Sequence, residues 1–268
     1  MRAGVGINIT DEQKLQYKRD GYFILEPGLG PDQVEQLQQC CSAAIEHVHA
    51  QMDAAGTDRV DVNIRDNRYF MGESTQYCPF MREFLFSEAM AEICRATIGD
   101  TAYLFYEQFV VKGAEVGTEF AWHQDSGYVS APHEPYVTIW MALDDVTEEN
   151  GTVYVLPYAR AGGGKLVEHV PKPGSTDRVG YQGDDPGIPV IVPAGGIAVF
   201  SSLTLHRSGF NRTDKMRRAY IAQYASAPIP KKNGQGHAGL KIPFLSGGKR
   251  VASDELPAPD RSDWLLNG

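Results

Sequence analysis

Long apolar runs are missing from this 268-residue chain. No segment approaches the roughly 20 residues that a bilayer-spanning helix requires. The opening MRAGVGINITDEQ has no apolar core of the kind a secretory leader carries. A soluble, cytoplasmic protein with no membrane partner is therefore expected. Basic charge is also short. With 25 Lys and Arg against 34 Asp and Glu, a formal net charge of −9, the surface suits neither nucleic acid nor anionic lipid. Cysteine is scarce, and Cys40, Cys41, Cys78 and Cys94 show no CxxC spacing, so reduced thiols are expected rather than a disulfide scaffold. Internal repeats, low-complexity tracts and linkers are absent as well. What is present is a 42% hydrophobic composition, enough for a sizeable core, in a length that suits one large domain.

Helices come first along the chain and strands after. Thr10 to Gln13 reads as a capping box that opens a short helix ending before Gly21, where YFIL begins a brief strand. Pro31 starts a second helix, with Val34, Leu37, Cys41, Ala44, Ile45 and Val48 at helical spacing. A third spans residues 87–98 and closes at Gly99. From residue 101 the texture turns β-rich: AYLFYEQFVVK, YVTIWMALD, GTVYVLP, KLVEHV, IPVIV, GIAVFSS and AYIAQYA are separated by Gly, Pro, Asn and Asp. The strand count, without alternating helices, points to an antiparallel jelly roll. The expected class is mainly β with flanking α-helices around a double-stranded β-helix, a cupin-like core. One domain over 1–268 would comprise a helical part (1–100), the jelly roll (101–226) and a polar tail (227–268). The irregular stretches 128–135 and 172–188 are long enough to be functional loops.

In FAWHQDSGYV, residues 120–129, an extended backbone would project His123 and Asp125 to one side and Gln124 to the other. HxD alone is common in surface loops. A third ligand must come from the remaining histidines. His47 and His49 lie toward the end of the second helix, His133 and His237 in loops and His169 among polar neighbours, so surface roles are expected for all five. His206 instead ends the apolar strand GGIAVFSSLTL. Two imidazoles and a carboxylate form the facial set that leaves three positions open on non-haem iron(II). Beyond His206 stand Ser208 and the pair Arg217 and Arg218. An arginine fork with a neighbouring hydroxyl is a receptor for a carboxylate, such as the far end of 2-oxoglutarate. Strand alternation lets only one of the two arginines face inward, and the flanking pattern does not choose between them.

Taken in order, DEQKLQYKRDGYFIL, WHQD, IWMALDDVTEENGTVYVLPYAR and LHRSGFNRTDKMRRAYIAQYA resemble the phytanoyl-CoA dioxygenase family of iron(II)/2-oxoglutarate oxygenases over most of residues 10–226. The resemblance implies iron(II), 2-oxoglutarate and O2 as cofactor and co-substrates. It makes His123, Asp125 and His206 the metal ligands and Arg217, with Ser208, the 2-oxoglutarate anchor. Trp140 and Gln108 match positions that line the co-substrate pocket, although Trp140 could equally be core and Gln108 exposed. His206-Arg207 stands where the family has histidine–glycine, and VLPYARAGG where PGSH is common, which weakens inference about substrate most. Halogen-transferring relatives carry alanine or glycine at the carboxylate position, so Asp125 implies oxygen insertion. Hydroxylation of an aliphatic C–H is the expected reaction; desaturation, ring closure or epimerisation use the same centre. A redox-neutral zinc enzyme, or a non-catalytic metal-binding protein on the same barrel, are the alternatives. Arg65 and Arg68 in NIRDNRYFMG, and Tyr128, are candidate substrate contacts. A small metabolite or natural-product intermediate is expected over an acyl-CoA, whose phosphates would want a basic patch. The oligomeric state is not legible.

Overall fold

A computed structural model describes residues 7–173 and 177–251. The end of the expected tail lies outside the described residues. The helices are α1 (Asp11–Asp20), α2 (Pro31–Ala55), α3 (Phe80–Leu85) and α4 (Glu88–Thr97). Among them run β1 (Tyr22–Leu25), β2 (Arg59–Val60), β3 (Asn63–Ile64) and β4 (Arg68–Gly72). The later strands are β5 (Ala102–Lys112), β6 (Phe120–His123), β7 (Val137–Ala142), β8 (Val153–Leu156), β9 (Val170–Pro171), β10 (Arg178–Val179), β11 (Ile188–Pro189), β12 (Ile197–Ser201), β13 (Leu205–Ser208), β14 (Arg217–Ala225), β15 (Ile242–Ser246) and β16 (Lys249–Arg250).

The helix starts follow their caps. Thr10 and Gln13 exchange backbone-to-side-chain hydrogen bonds at α1, Pro31 occupies the first turn of α2, and Ser87 accepts from Met90 N at α4. Two antiparallel sheets face each other. The larger runs β1-β12-β7-β14-β5-β4-β3-β2, with β15 and β16 attached through β5, and the smaller runs β11-β8-β13-β6. This is the mainly β, jelly-roll architecture expected. The first hundred residues do more than supply helices, because β1 and β4 extend the larger sheet on both sides.

Period-two alternation divides that sheet into two faces. Ile139, Met141, Val199, Tyr220 and Ala222 join the main core with residues of α2, α3 and α4. The opposite face, carrying Trp140, Ala198 and Ala219, packs on Val153 and Val155 of the smaller sheet. Toward one end this inter-sheet space opens into a cavity of about 440 Å³.

Three expectations need correction. Cys40, on the buried face of α2, and Cys78, before α3, are joined as a disulfide; distance in sequence hid their approach in space. Cys41 and Cys94 are the free, buried thiols. KLVEHV forms no strand before Val170, because its backbone is held by a side chain instead: the Gln124 amide donates to Lys165 O and accepts from Val167 N. IPVIV keeps only Ile188–Pro189 as strand, where Pro189 has no N–H for a ladder. Among the described residues, no helix is long and apolar enough to cross a membrane.

Candidate metal centre

His123 ends β6 and His206 lies directly opposite it on β13. Their rings stand 4.2 Å apart. Each ring is oriented by its own chain: His123 Nδ1 lies 2.8 Å from Ala121 O and His206 Nδ1 3.0 Å from Thr204 O. A carbonyl only accepts, so each Nδ1 carries the proton and each Nε2 keeps its lone pair. Asp125 opens a short 3-10 turn, Asp125–Tyr128, rather than continuing the strand. Its Oδ1 lies 3.5 Å from His206 Nε2 and 3.9 Å from His123 Nε2. The three donor atoms fall within 4.8 Å of one another, close enough to share one ion. Burial beside His206 holds the His123 imidazole well below its usual pKa, keeping it neutral, as a metal ligand must be.

Thr138 and Gln223 fix the second carboxylate oxygen. Asp125 Oδ2 accepts from Thr138 Oγ1 at 2.6 Å and from Gln223 Nε2 at 2.9 Å, which turns Oδ1 toward the imidazoles. The sequence reading missed both. Their signal was a lone polar residue at an inward position of an otherwise apolar strand. Gln124 points away from the centre, as expected of the residue between the two ligands, and its amide also donates to Leu203 O. His169, half-buried, has more than a surface role: its Nε2 accepts from Gln124 N at 2.9 Å. At Gly127 an added Cβ would lie 2.5 Å from the His169 ring, so the turn needs glycine there. His133, half-buried, likewise contacts Ser126 Oγ at 3.0 Å, and half-buried His49 contacts Tyr69 OH at 2.6 Å.

Arg217 and Arg218 separate cleanly. Arg218 points to the outer face and grips Asp144 with Nε at 3.0 Å and Nη2 at 2.5 Å. Arg217, 1% exposed, lines the cavity, and of its guanidinium only Nη2 is bonded, to Gly151 O at 2.9 Å. Nε and Nη1 are buried without a partner. Burial lowers its pKa to about 10, which leaves it charged at neutral pH. Orphaned donors on a buried cation are costly by themselves and call for an anionic acceptor such as a carboxylate. Ser208 and Gln108 line the same cavity, as does Trp140, whose ring lies 5.7 Å from the Arg217 guanidinium. Lys112 is buried behind them, its Nζ donating to Thr118 O and Gly209 O.

Of the candidate substrate contacts, Tyr128 lies edge-on to His123 at 5.5 Å, and burial pushes its phenol up to about 12. Arg68 lines the cavity. Arg65 does not, which corrects its expected role: its guanidinium is held by Asp53 and Asp58, at 2.5 Å and 2.8 Å. Arg178, which the sequence did not single out, lines the cavity over the Tyr128 ring.

The donor set suits iron(II), since imidazole with a hard carboxylate on one side of an ion leaves the other side open. The family model for phytanoyl-CoA dioxygenase matches residues 17–219. A zebrafish (Danio rerio) phytanoyl-CoA dioxygenase domain-containing protein 1 is 22% identical over 258 residues, covering 79% of this chain and 88% of that one. The non-heme alpha-ketoglutarate-dependent carbocyclase SnoK from nogalamycin biosynthesis superposes with a TM-score of 0.65 at 18% identity, covering 91% of this chain and 94% of its own. EctD from S. alaskensis, solved with 2-oxoglutarate and 5-hydroxyectoine, gives a TM-score of 0.63 at 20% identity over 95% of this chain and 86% of its own. With fold, donor set and a match over most of its length in agreement, the chain belongs to the phytanoyl-CoA dioxygenase family of iron- and 2-oxoglutarate-dependent oxygenases.

Proposed function

We propose that this protein hydroxylates an aliphatic C–H of a small metabolite or natural-product intermediate, on a single catalytic domain. The observation that carries the reading is the buried Arg217 fork, with two donors unpartnered in the cavity that also holds the His–Asp–His cluster. A zinc hydrolase has no use for such a fork.

His123, Asp125 and His206 would hold iron(II), and Arg217 with Ser208 would take the far carboxylate of 2-oxoglutarate. Bound iron supplies the redox chemistry that activates oxygen. The balance is R–H + 2-oxoglutarate + O2 → R–OH + succinate + CO2, with one oxygen atom entering the hydroxyl and the other succinate. The residues contribute orientation. The Arg217 fork fixes the co-substrate, and Trp140 and Gln108 shape the space beside it. Tyr128, with Phe120, confines the substrate next to His123 and limits water there. EctD's capture with 5-hydroxyectoine supports a small-molecule substrate in a cavity of this kind.

Succinate formation is expected to require iron(II), 2-oxoglutarate and oxygen together, and to stop on chelation. Equal turnover with zinc under nitrogen sinks the reading.

A further inference from the structure

The register of three adjacent strands aligns three basic residues. Arg68 on β4 lies opposite Lys112 on β5, and Lys112 lies opposite Arg217 on β14. Residues paired across strands share a face, and like charges in that position repel. No carboxylate of the protein is ion-paired with any of the three, among the described residues. Arginines elsewhere do find acids, Arg218 with Asp144 and Arg65 with Asp53 and Asp58. Burial lowers the Lys112 pKa to about 6, so at neutral pH the two arginines carry the charge of the row, in a cavity that Asp177 also lines. A guanidinium with no ion pair to the protein is available to an anion that arrives from outside.

The three are not equivalent. Lys112 is closed off by the carbonyls of Thr118 and Gly209. Arg217 is accounted for by the co-substrate. Arg68 remains: it lines the cavity, and Nε, its one bonded nitrogen, donates to Val62 O at 3.1 Å. That bond orients the fork and leaves both Nη groups free. Between Arg68 and the metal centre the wall is aromatic. The Arg68 guanidinium lies 5.9 Å from the Phe70 ring, Phe70 lies 5.3 Å from Phe120, and Phe120 lies 6.4 Å from His123.

Resting on the oxygenase reading, we propose that the substrate is a carboxylic acid with an apolar body, its carboxylate held by the Nη groups of Arg68 and its body lying along Phe70 and Phe120 toward His123. The cation sets the class of substrate and the rings set its polarity. A neutral substrate would give the Nη groups of Arg68 no charged partner.

The test uses the full chain loaded anaerobically with iron(II) and 2-oxoglutarate, whose charge-transfer absorbance reports on the open side of the metal. The probes are a homologous series of straight-chain and aryl-substituted carboxylic acids, each with its primary amide. Acids are expected to shift the band and raise the melting temperature, while their amides do neither. Arg68→Ala is expected to weaken acid binding by roughly tenfold or more, with partial recovery in Arg68→Lys, which restores charge without the fork. Arg68→Gln, which keeps the stem packed on Phe70, is the check against loss of fold. The proposal is overturned if amides bind as well as acids, if no acid shifts the band, or if both neutral variants bind acids like the wild type. A wild-type protein that forms no band at all overturns the oxygenase reading instead, and this inference with it.

Discussion

The two ends of the cavity are built differently. At the inner end, the imidazole Nδ1 atoms and Asp125 Oδ2 all have protein partners, so only the atoms facing the common point are free. Those side chains, or their partners, sit on β6, β13, β7 and β14, within sheets. At the outer end Arg68, the first residue of β4, has its side chain held by a single hydrogen bond, and Arg178 sits exposed on the two-residue β10. The difference separates what the reaction needs from what a substrate needs. Oxygen chemistry requires ligands held in place before anything binds, whereas recognition can be rewritten on loosely held side chains without disturbing them.

The largest effects belong at the inner end. Asp125→Ala removes one of three ligands and should lower iron occupancy and turnover more than the loss of a supporting residue, so by more than about 100-fold. Wild-type occupancy and turnover in that variant would remove Asp125 from the metal. Next comes the co-substrate anchor. Arg217→Ala should raise the 2-oxoglutarate requirement by roughly thirtyfold to several-thousandfold, the equivalent of about 2–5 kcal/mol for a buried carboxylate pair. Its neighbour is the control: Arg218→Ala should leave that requirement almost unchanged and cost about 1 kcal/mol of stability through the partly buried Asp144 pair. The reverse pattern in 2-oxoglutarate titrations would exchange the roles of the two arginines.

Sequence alone carried the inner end well and the outer end poorly. His123, Asp125 and His206 were legible because the chemistry demands those residue types and the strand order demands that spacing. Arg217 was legible only as one of two, since alternation says that neighbours face opposite ways but not which way. Thr138 and Gln223 went unseen because their task is to bond another side chain, and a lone polar residue in an apolar strand does not say which partner it serves. Arg65 was misplaced for the converse reason: its two carboxylates lie 12 and 7 residues away in sequence and close only in space. His169 looked like a surface residue because its partner, Gln124, lies 45 residues earlier in sequence and meets it only in space.

Thr138 and Gln223 give the third effect. Gln223→Ala and Thr138→Val each release one bond to Asp125 Oδ2 without touching the metal-facing oxygen, and should weaken iron binding by roughly 10–100-fold. The two residues also bond each other at 3.0 Å, so the double variant should cost less than the product of the single effects. Multiplicative losses would mean that they act on Asp125 independently.

The smallest effect is on pH. In the metal-free protein His123 and His169 both have pKa values lowered by burial, and His169 Nε2 accepts a backbone N–H that a protonated ring could not take. The unfolded chain therefore binds protons first, starting near the free imidazole value of about 6.5. Stability should rise with pH through that window and fall as pH drops from about 6.5 toward the lower folded values, because the unfolded state holds more protons there. Melting temperatures of the metal-free protein between neutral and mildly acidic pH read this slope. His169→Gln keeps an acceptor without an ionisable ring, so it should flatten the slope while the metal ligands stay in place. An unchanged slope would assign the acid sensitivity to the inner end alone, and the loop that carries Tyr128 would then hold its position without help from His169.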